Sequence, residues 1–516
     1  MIPIRRLRCS RRVAATAVLS LLVLGATAHA TPGHVQAIDQ RASTKANTLT
    51  IGLGWDVGGL DPVVMVLIYD QLIRVGNDGT SLVPDLATSW SMSKDGTVYT
   101  FHLRPGVVFH NGQKLTAEDV RFCLDRARNP KESWSWTLAA IKKVEAPDPA
   151  TVRVTLKHPW APFLSDVSLF DTGIYPEAYF KKVGASYMTA HPIGTGPYMF
   201  ASWKRGQYLR LKKNPHYWMA AKFPMQYVEY DLIPNDNTRL LKVEAGELDV
   251  DNVLPYNLIA QVKNNPSIKV VIDRSTQTNY LVPNHKVAPF GDVKVRQAIT
   301  HAIDRAALVK AVLYGYGTPA NSFMPRGAID YDPNIPVPSY DLALARKLLS
   351  QSTVPHGFTM NFEVGSGDTV GNQTAVIFKS EVAPLGIKVN IKPMDPTTLF
   401  NNQDVGKYSF TNNLWTNDIP DPDELVAFSA NYAPGSWNFF TWYHNPEVSR
   451  LSHEAEQTND AATRKRLYYQ IQEIWAREQW FFALYYPPFV NAVSSRVQGF
   501  HESPLGYFVL QGVHKT

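Results

Sequence analysis

The chain has 516 residues, 45% of them hydrophobic, 19% charged and 11% aromatic. That balance excludes a disordered chain, and at ~150 residues per domain the length suggests about three domains. The formal charge is +6, but residues 1–30 hold five Arg and no acid, leaving 46 basic against 45 acidic side chains. Such a remainder offers no basic surface, so no nucleic-acid partner is expected.

Arg5, Arg6, Arg8, Arg11 and Arg12 precede an apolar run at 13–28 that ends in Ala28-His29-Ala30, a small-x-small site. The run is short for a membrane span, which needs ~20 residues, and reads as a secretory signal peptide (1–30) cleaved after Ala30. Cys9 lies upstream of the apolar run rather than at the cleavage site, so no lipid anchor is expected. Cys123 is then the one remaining cysteine; it allows no internal disulfide and reads as a buried helix residue. TPGHVQAIDQRASTKAN (31–47) carries no period and reads as a disordered leader.

TLTIGLGW (48–55) reads as a strand entering a glycine turn, and TVYTFHLRPGVVF (97–109) as a strand and its turn. LTAEDVRFCLDRAR (115–128) reads as a helix capped by Thr116, with Asp119 at the capping-box position and Val120, Cys123, Leu124 and Ala127 on one face. TVRVTL (151–156) alternates as a strand. DVKVRQAITHAIDRAALVKAVL (292–313) predicts one helix and a second after Asp304; YDLALARKLLS (340–350) predicts another. QTAVIFKSEVAPLGIKVNIKPMD (373–395) reads helix, turn, strand, and NDAATRKRLYYQIQEIWARE (459–478) a long amphipathic helix. Helices and strands mixed throughout predict an α/β (mixed α+β) protein of more than one domain.

Several motifs fail on chemistry. GLGWDVGG (52–59) lacks the third glycine of a dinucleotide loop, and no helix follows it. HEAEQ (453–457) lacks the second His of a zinc protease. IGTGPY (193–198) lacks the Lys and Ser/Thr of a phosphate loop and reads as a tight turn. No G-x-S-x-G elbow or nucleophile–base pair marks a secreted hydrolase, the competing class, so no enzyme activity and no cofactor is expected.

NNLWTNDIPDPDELV (412–426) crowds Asp418, Asp421, Asp423 and Glu424 behind Trp415. A calcium loop fits badly: counted from Asp421, Leu425 and Val426 occupy the positions for a carboxylate and a glycine. A surface turn accounts for Asp421-Pro422-Asp423. A Trp beside a carboxylate also suits a bound ammonium.

LVPDLATSWSMSKDGTVYTFHLRPGVVFHNGQKLTAEDV (82–120), PIGTGPYMFASWKRGQYLRLKKNPHYW (192–218) and PFGDVKVRQAITHAIDRAALVKAVLYGYGTPANSFMP (289–325) resemble the oligopeptide/dipeptide/nickel group (family 5) of extracytoplasmic solute-binding proteins, with weaker matches in GGLDP (58–62) and LLKVEAGELDV (240–250). The resemblance implies a two-lobed periplasmic binding protein fold of three domains. Domain I would use 48–70, 190–285 and 487–516, domain II 71–189, and domain III, the ligand-binding lobe, 286–486. It implies a periplasmic, monomeric receptor that captures a di-/oligopeptide or similar ammonium-bearing solute and delivers it to an inner-membrane ABC permease with cytoplasmic ATPases. A non-peptide solute (opine-like conjugate, sugar derivative or metal chelate) is the alternative. In dipeptide binders, W-T-x-D-x-x-D-P-D carries the Asp that receives the peptide ammonium; here that is Asp418, with Trp415 as a wall and Asp421 and Asp423 left in the turn. Trp437, Trp442 and Tyr443 in SWNFFTWYHN (436–445) could line the pocket; His444 stands alone, so no metal is expected. Two departures stand out. FEVGSGDTVGNQTAV (362–376) has no Arg or Lys where dipeptide binders hold the ligand carboxylate, and the segment between GGLDP and VLIYDQL is short.

Overall fold

The strand Thr48–Leu53 pairs in parallel with Tyr227–Leu232 on one side and Val250–Asp251 on the other. Leu49, Ile51 and Leu53 on one face are buried to 1% exposure or less, and Thr48 and Gly52 on the other are buried too, as expected of a central parallel strand covered on both faces. The protein is described here from a computed structural model that covers residues 45–57, 62–132, 134–430 and 441–516. The expected signal peptide, nearly all of the expected leader, and Trp437 lie outside the described residues. Asn47 is already tied in, its carbonyl accepting from Gln226 N and Tyr227 N at 2.9 and 3.1 Å, so the leader ends before it.

Two large sheets organise Asn47–Thr516. The seven-stranded sheet runs Ile268–Asp273, Phe489–Ser494, Val250–Asp251, Thr48–Leu53, Tyr227–Leu232, Tyr208–Lys213, Tyr198–Lys204. The six-stranded sheet runs Thr318–Pro319, Phe482–Tyr486, Thr278–Pro283, Phe410–Trp415, Thr359–Gly365, Lys388–Met394. A four-stranded antiparallel sheet joins Ala87–Met92, Val98–Leu103, Thr151–Leu156 and Ile141–Asp148. Phe290, Phe362, Phe378 and Phe410 pack ring to ring at 5.1–5.8 Å and fill the core of the six-stranded sheet.

The chain passes between the two large sheets twice, from Asp273 to Thr278 and from Tyr486 to Phe489. The expected end of the second domain I segment, at 285, falls too late: Thr278–Pro283 pairs with Phe410–Trp415 and Phe482–Tyr486 and belongs to the six-stranded sheet. Apolar strands flank this crossing on both sides, so no composition change marks it. Pairing directions place the C-terminal ends of Thr48–Leu53, Val250–Asp251 and Ile268–Asp273 at the crossings. The C-terminal ends of Thr359–Gly365, Phe410–Trp415 and Phe482–Tyr486 meet them there. In open α/β sheets these are the edges beside which ligands bind.

The expected helices form at Ala117–Ala127, Val293–Ala302, Arg305–Val312, Leu342–Ser350, Thr369–Val382 and Ala461–Glu478. Asp292, Asp304, Asp341, Asp368 and Asp460 accept amide hydrogens at the last five N-termini. Asp119 reaches back to Thr116 N and Oγ at 3.0 and 2.8 Å. Cys123 is buried in that helix; burial pushes its thiol well above the ordinary range.

The glycines have packing reasons. A Cβ on Gly52 would lie 2.7 Å from Leu248 Cδ1, and one on Gly54 3.1 Å from Arg239 Nη1, so the strand is bare where the buried Arg239 crosses it. At IGTGPY, a Cβ on Gly194 would clash with the Ile68 carbonyl oxygen, and one on Gly196 would lie 2.6 Å from that of Leu67. Gly194→Ala is therefore expected to destabilise the fold by about 1–3 kcal/mol through overpacking against backbone. Urea denaturation checks this, and an unchanged midpoint would refute the close approach.

Candidate functional site

The strand Phe410–Trp415 delivers the acidic run to the sheet edge, and Pro422 starts the helix Asp423–Ser429 within one turn. That sharp return folds Glu424 under the loop it follows. Its carboxylate, 1% exposed, accepts from Trp415 Nε1 at 3.0 Å, from Asp418 N at 3.1 and 3.2 Å, and from Ile419 N at 3.1 Å. Hydrogen bonds to a charged acceptor contribute about 1.5–3 kcal/mol each, so Glu424 fixes the loop and the Trp415 ring together.

Asp418 is half-buried beside this carboxylate. Burial raises its acid to about 7, against a hydrogen bond from Glu424 that lowers it. Glu424 lies well above its ordinary value, through burial first and the charge of Asp418 second. Among the described residues, the main groups acting on the pair are amides, an indole and each other, with no cationic side chain among them. The arrangement is a carboxyl pair that shares a proton beside an indole wall.

Asp421 and Asp423 do not sit in a solvated turn. Asp421, 5% exposed, makes a two-pronged pair with Arg464, both N–O distances 2.8 Å. Its Oδ1 also accepts from Asp423 N at 3.0 Å. Asp423 is 3% exposed in the first turn of the helix. The proline-flanked sequence suggested a turn, and the turn exists, but Arg464 lies 43 residues downstream and buries it.

Trp415 half-buries its ring against Phe428, centroids 4.3 Å apart, and Phe428 meets Trp136 edge-on at 5.3 Å. Trp415 and Phe428 share a small cavity with Tyr280, Phe323 and Phe481. Tyr443 and Trp442 are placed elsewhere. Tyr443 is 4% exposed, stacks on Trp480 at 4.8 Å, and donates to Glu478 Oε2 at 2.6 Å, which makes it a core residue rather than a pocket wall. Trp442 packs against Gly406, beyond the opposite end of the strand from Trp415, with Lys286 Nζ 3.4 Å from its ring centroid. At the neighbouring strand end, Asp368 caps Thr369–Val382 and accepts from Asn412 Nδ2 at 2.9 Å, so this edge too carries an acid rather than a base.

Two participants escaped the sequence reading. Glu424 was visible as a charge, but its inward direction depends on how tightly the helix returns. Tyr507, near the C-terminus, donates its hydroxyl to the Asp418 carbonyl oxygen at 3.1 Å, across 89 residues. It also lines a cavity of about 110 Å³ with Asp70, Arg74, Tyr217 and Phe508. Among the described residues, no group of three or more His, Cys, Asp or Glu could hold a metal ion, and no helix is long and apolar enough to cross a membrane.

Comparison with known proteins identifies the family. The profile of the bacterial extracellular solute-binding proteins, family 5 (Middle), matches residues 81–437. The chain is 30% identical over 514 residues to the glutathione-binding protein GsiB of Pectobacterium atrosepticum, covering 96% of this chain and 98% of that protein. It is 28% identical over 475 residues to heme-binding protein A of Haemophilus influenzae, covering 86% of each. Among solved structures, the periplasmic binding protein DppA of Helicobacter pylori in complex with the peptide STSA superposes with a TM-score of 0.81 at 28% identity, over 92% of this chain and 99% of that one. AgaA of A. tumefaciens in complex with agropinic acid gives 0.80 at 27%, over 91% and 99%. Sheet architecture, sequence profile and full-length relatives agree: the chain belongs to the family 5 bacterial extracellular solute-binding proteins, and its role is to bind a substrate for an ABC importer.

Proposed function

We propose that this receptor encloses an ammonium-bearing small solute, a di- or oligopeptide first, where the edges of the two large sheets meet. Asp418 receives the ammonium and Trp415 walls it. The carrying observation is the pairing of half-buried Asp418 with buried Glu424, two carboxyl groups held together with no cationic side chain among the main described groups acting on them. A bound ammonium supplies the missing charge. Binding is conformational: the solute stabilises the closed arrangement of a domain I/II lobe against a domain III lobe, and no bond is made or broken. The protein acts as a periplasmic monomer after loss of residues 1–30 and hands its cargo to an ABC permease. Relatives that bind the peptide STSA and glutathione support the peptide reading. The absence of Arg or Lys from 362–376 favours a second reading, a non-peptide solute such as the agropinic acid bound by AgaA.

Native mass spectrometry of the mature protein, followed by denaturation, identifies the cargo. Released short peptides support the first reading; a single non-peptide solute supports the second; a solute of either kind without a cationic group removes Asp418 as an ammonium site.

Affinity follows Asp418. Its acid, raised to about 7, is protonated below that pH and then has no charge to offer an ammonium. Affinity for a dipeptide is expected to hold above about pH 7 and to fall by up to about tenfold per pH unit below it. Calorimetric titrations between about pH 5 and 8 check this, and a flat profile would remove Asp418 from the site.

A further inference from the structure

The end of the Val250–Asp251 strand holds a conformation that its residue type resists. Val253 has φ of 61°, a left-handed backbone that a β-branched side chain takes only when its surroundings impose it. The surroundings do so. Asn252, 1% exposed, donates to Asn491 Oδ1 at 2.7 Å and to Glu502 Oε2 at 3.3 Å. Val253 N donates to the same Asn491 oxygen at 3.3 Å, and Leu254 N to Val490 O at 2.8 Å. On the preceding residue, Arg239 Nε grips Asp251 Oδ1 at 2.7 Å. Glycine or asparagine would satisfy this frame without strain. The position carries instead a valine left 52% exposed, so packing does not account for it.

Its location does. Gly52 lies opposite Asp251, so Trp55, 40% exposed, leaves the neighbouring strand at the same sheet edge. Tyr256 Oη donates to Pro488 O at 2.8 Å, which ties the loop to the second crossing. Glu502, bonded to Asn252, begins the short segment that reaches Asp418 through Tyr507. An exposed, strained aliphatic side chain therefore stands on one sheet edge, and the Asp418–Glu424 carboxyl pair stands on the other.

We propose that Val253, with Trp55 at the same sheet edge, is an apolar contact for the bound solute, and that the receptor selects ammonium-bearing solutes with a bulky aliphatic group. The inference rests on the reading of Asp418 as the ammonium site. Backbone strain at 253 is held in the free protein so that the side chain is already presented when the solute arrives.

The test titrates L-leucyl-L-leucine and L-alanyl-L-alanine into wild type, Val253→Gly and Asp418→Asn by calorimetry, with thermal melts of each ligand-free protein. Wild type is expected to prefer the leucine peptide by about tenfold or more, from the extra methylenes it buries. Val253→Gly should melt at or above wild type, lose most of that preference, and bind the alanine peptide within about twofold of wild type. A purely structural role would move the melt without moving the preference. Val253→Asn, also tolerant of the left-handed backbone, serves if the glycine variant does not fold. Retained preference in these variants, with both peptides weakened by Asp418→Asn, overturns the apolar contact alone. Lost preference with Asp418→Asn still binding normally supports the contact and overturns the ammonium site. Wild type that binds neither peptide, or both equally, overturns the proposal.

Discussion

Asp418→Asn is expected to weaken dipeptide binding by at least about tenfold while leaving the fold intact. A charge-assisted hydrogen bond to an ammonium contributes about 1.5–3 kcal/mol, and truncation leaves the ligand charge enclosed without a partner. The loop itself survives, because the Asp418 contacts that hold it use its backbone, through N to Glu424 and through O from Tyr507. Glu424→Gln should behave differently. An amide offers one acceptor oxygen where the carboxylate offers two, so at least one of the Trp415, Asp418 and Ile419 donors loses its partner. Both affinity and stability should then fall. Calorimetry with a dipeptide and urea denaturation separate the two patterns. Binding by Asp418→Asn within about twofold of wild type would end the ammonium assignment. A Glu424→Gln variant as stable as wild type would mean that the pair shares a proton without building the loop.

This division of labour explains which parts of the site were legible. Asp418 and Trp415 lie within four residues in the sequence and belong to a motif whose chemistry can be stated from residue type alone. Glu424 is six residues past Asp418, and its role depends on a helix that starts at once after Pro422. Asp421 looked like a turn former because its partner Arg464 sits on another helix, and no local pattern encodes a pair 43 residues apart. Tyr443 was misread for the opposite reason: an aromatic near the motif in sequence is turned into the core by its stack on Trp480 and its bond to Glu478. Helices were read well because aspartate caps and 3.6-residue stripes are local signals. Many strands of the seven-stranded sheet were not, since short strands buried on both faces such as Phe489–Ser494 carry neither alternation nor caps.

Arg464 is where the largest loss of stability is expected. Its guanidinium donates to both oxygens of Asp421, through Nη2 to Tyr468 Oη at 3.2 Å, and through Nε to Ala455 O at 3.0 Å. Burial alone would pull its charge down, but Asp421, Tyr468 and Asp423 together hold it above the ordinary range. Around it stand Asp166, Asp330, Asp423 and Glu456, all raised by burial first, with Asp421 or another of these acids adding to three of them. Asp166 belongs to the segment whose Trp160 indole it accepts at 2.7 Å, and the next residue, Ala161, bonds Glu456 O at 2.7 Å. One arginine thus balances acids drawn from both sides of that contact. Arg464→Met should cost about 3–5 kcal/mol, because it strands a buried carboxylate. Carboxyls whose pKa is raised on folding bind protons more readily folded than unfolded. Their contribution to stability is present below the unfolded value and is lost as pH rises through the folded one. The deficit of Arg464→Met should therefore shrink near pH 5 and grow toward about pH 8, and adding Asp421→Asn should recover part of it at neutral pH. Urea denaturation of the single and double variants at both pH values decides the matter. A deficit that ignores pH and is not relieved by the second substitution would mean that Arg464 works through its packing on Tyr468 and not through its charge.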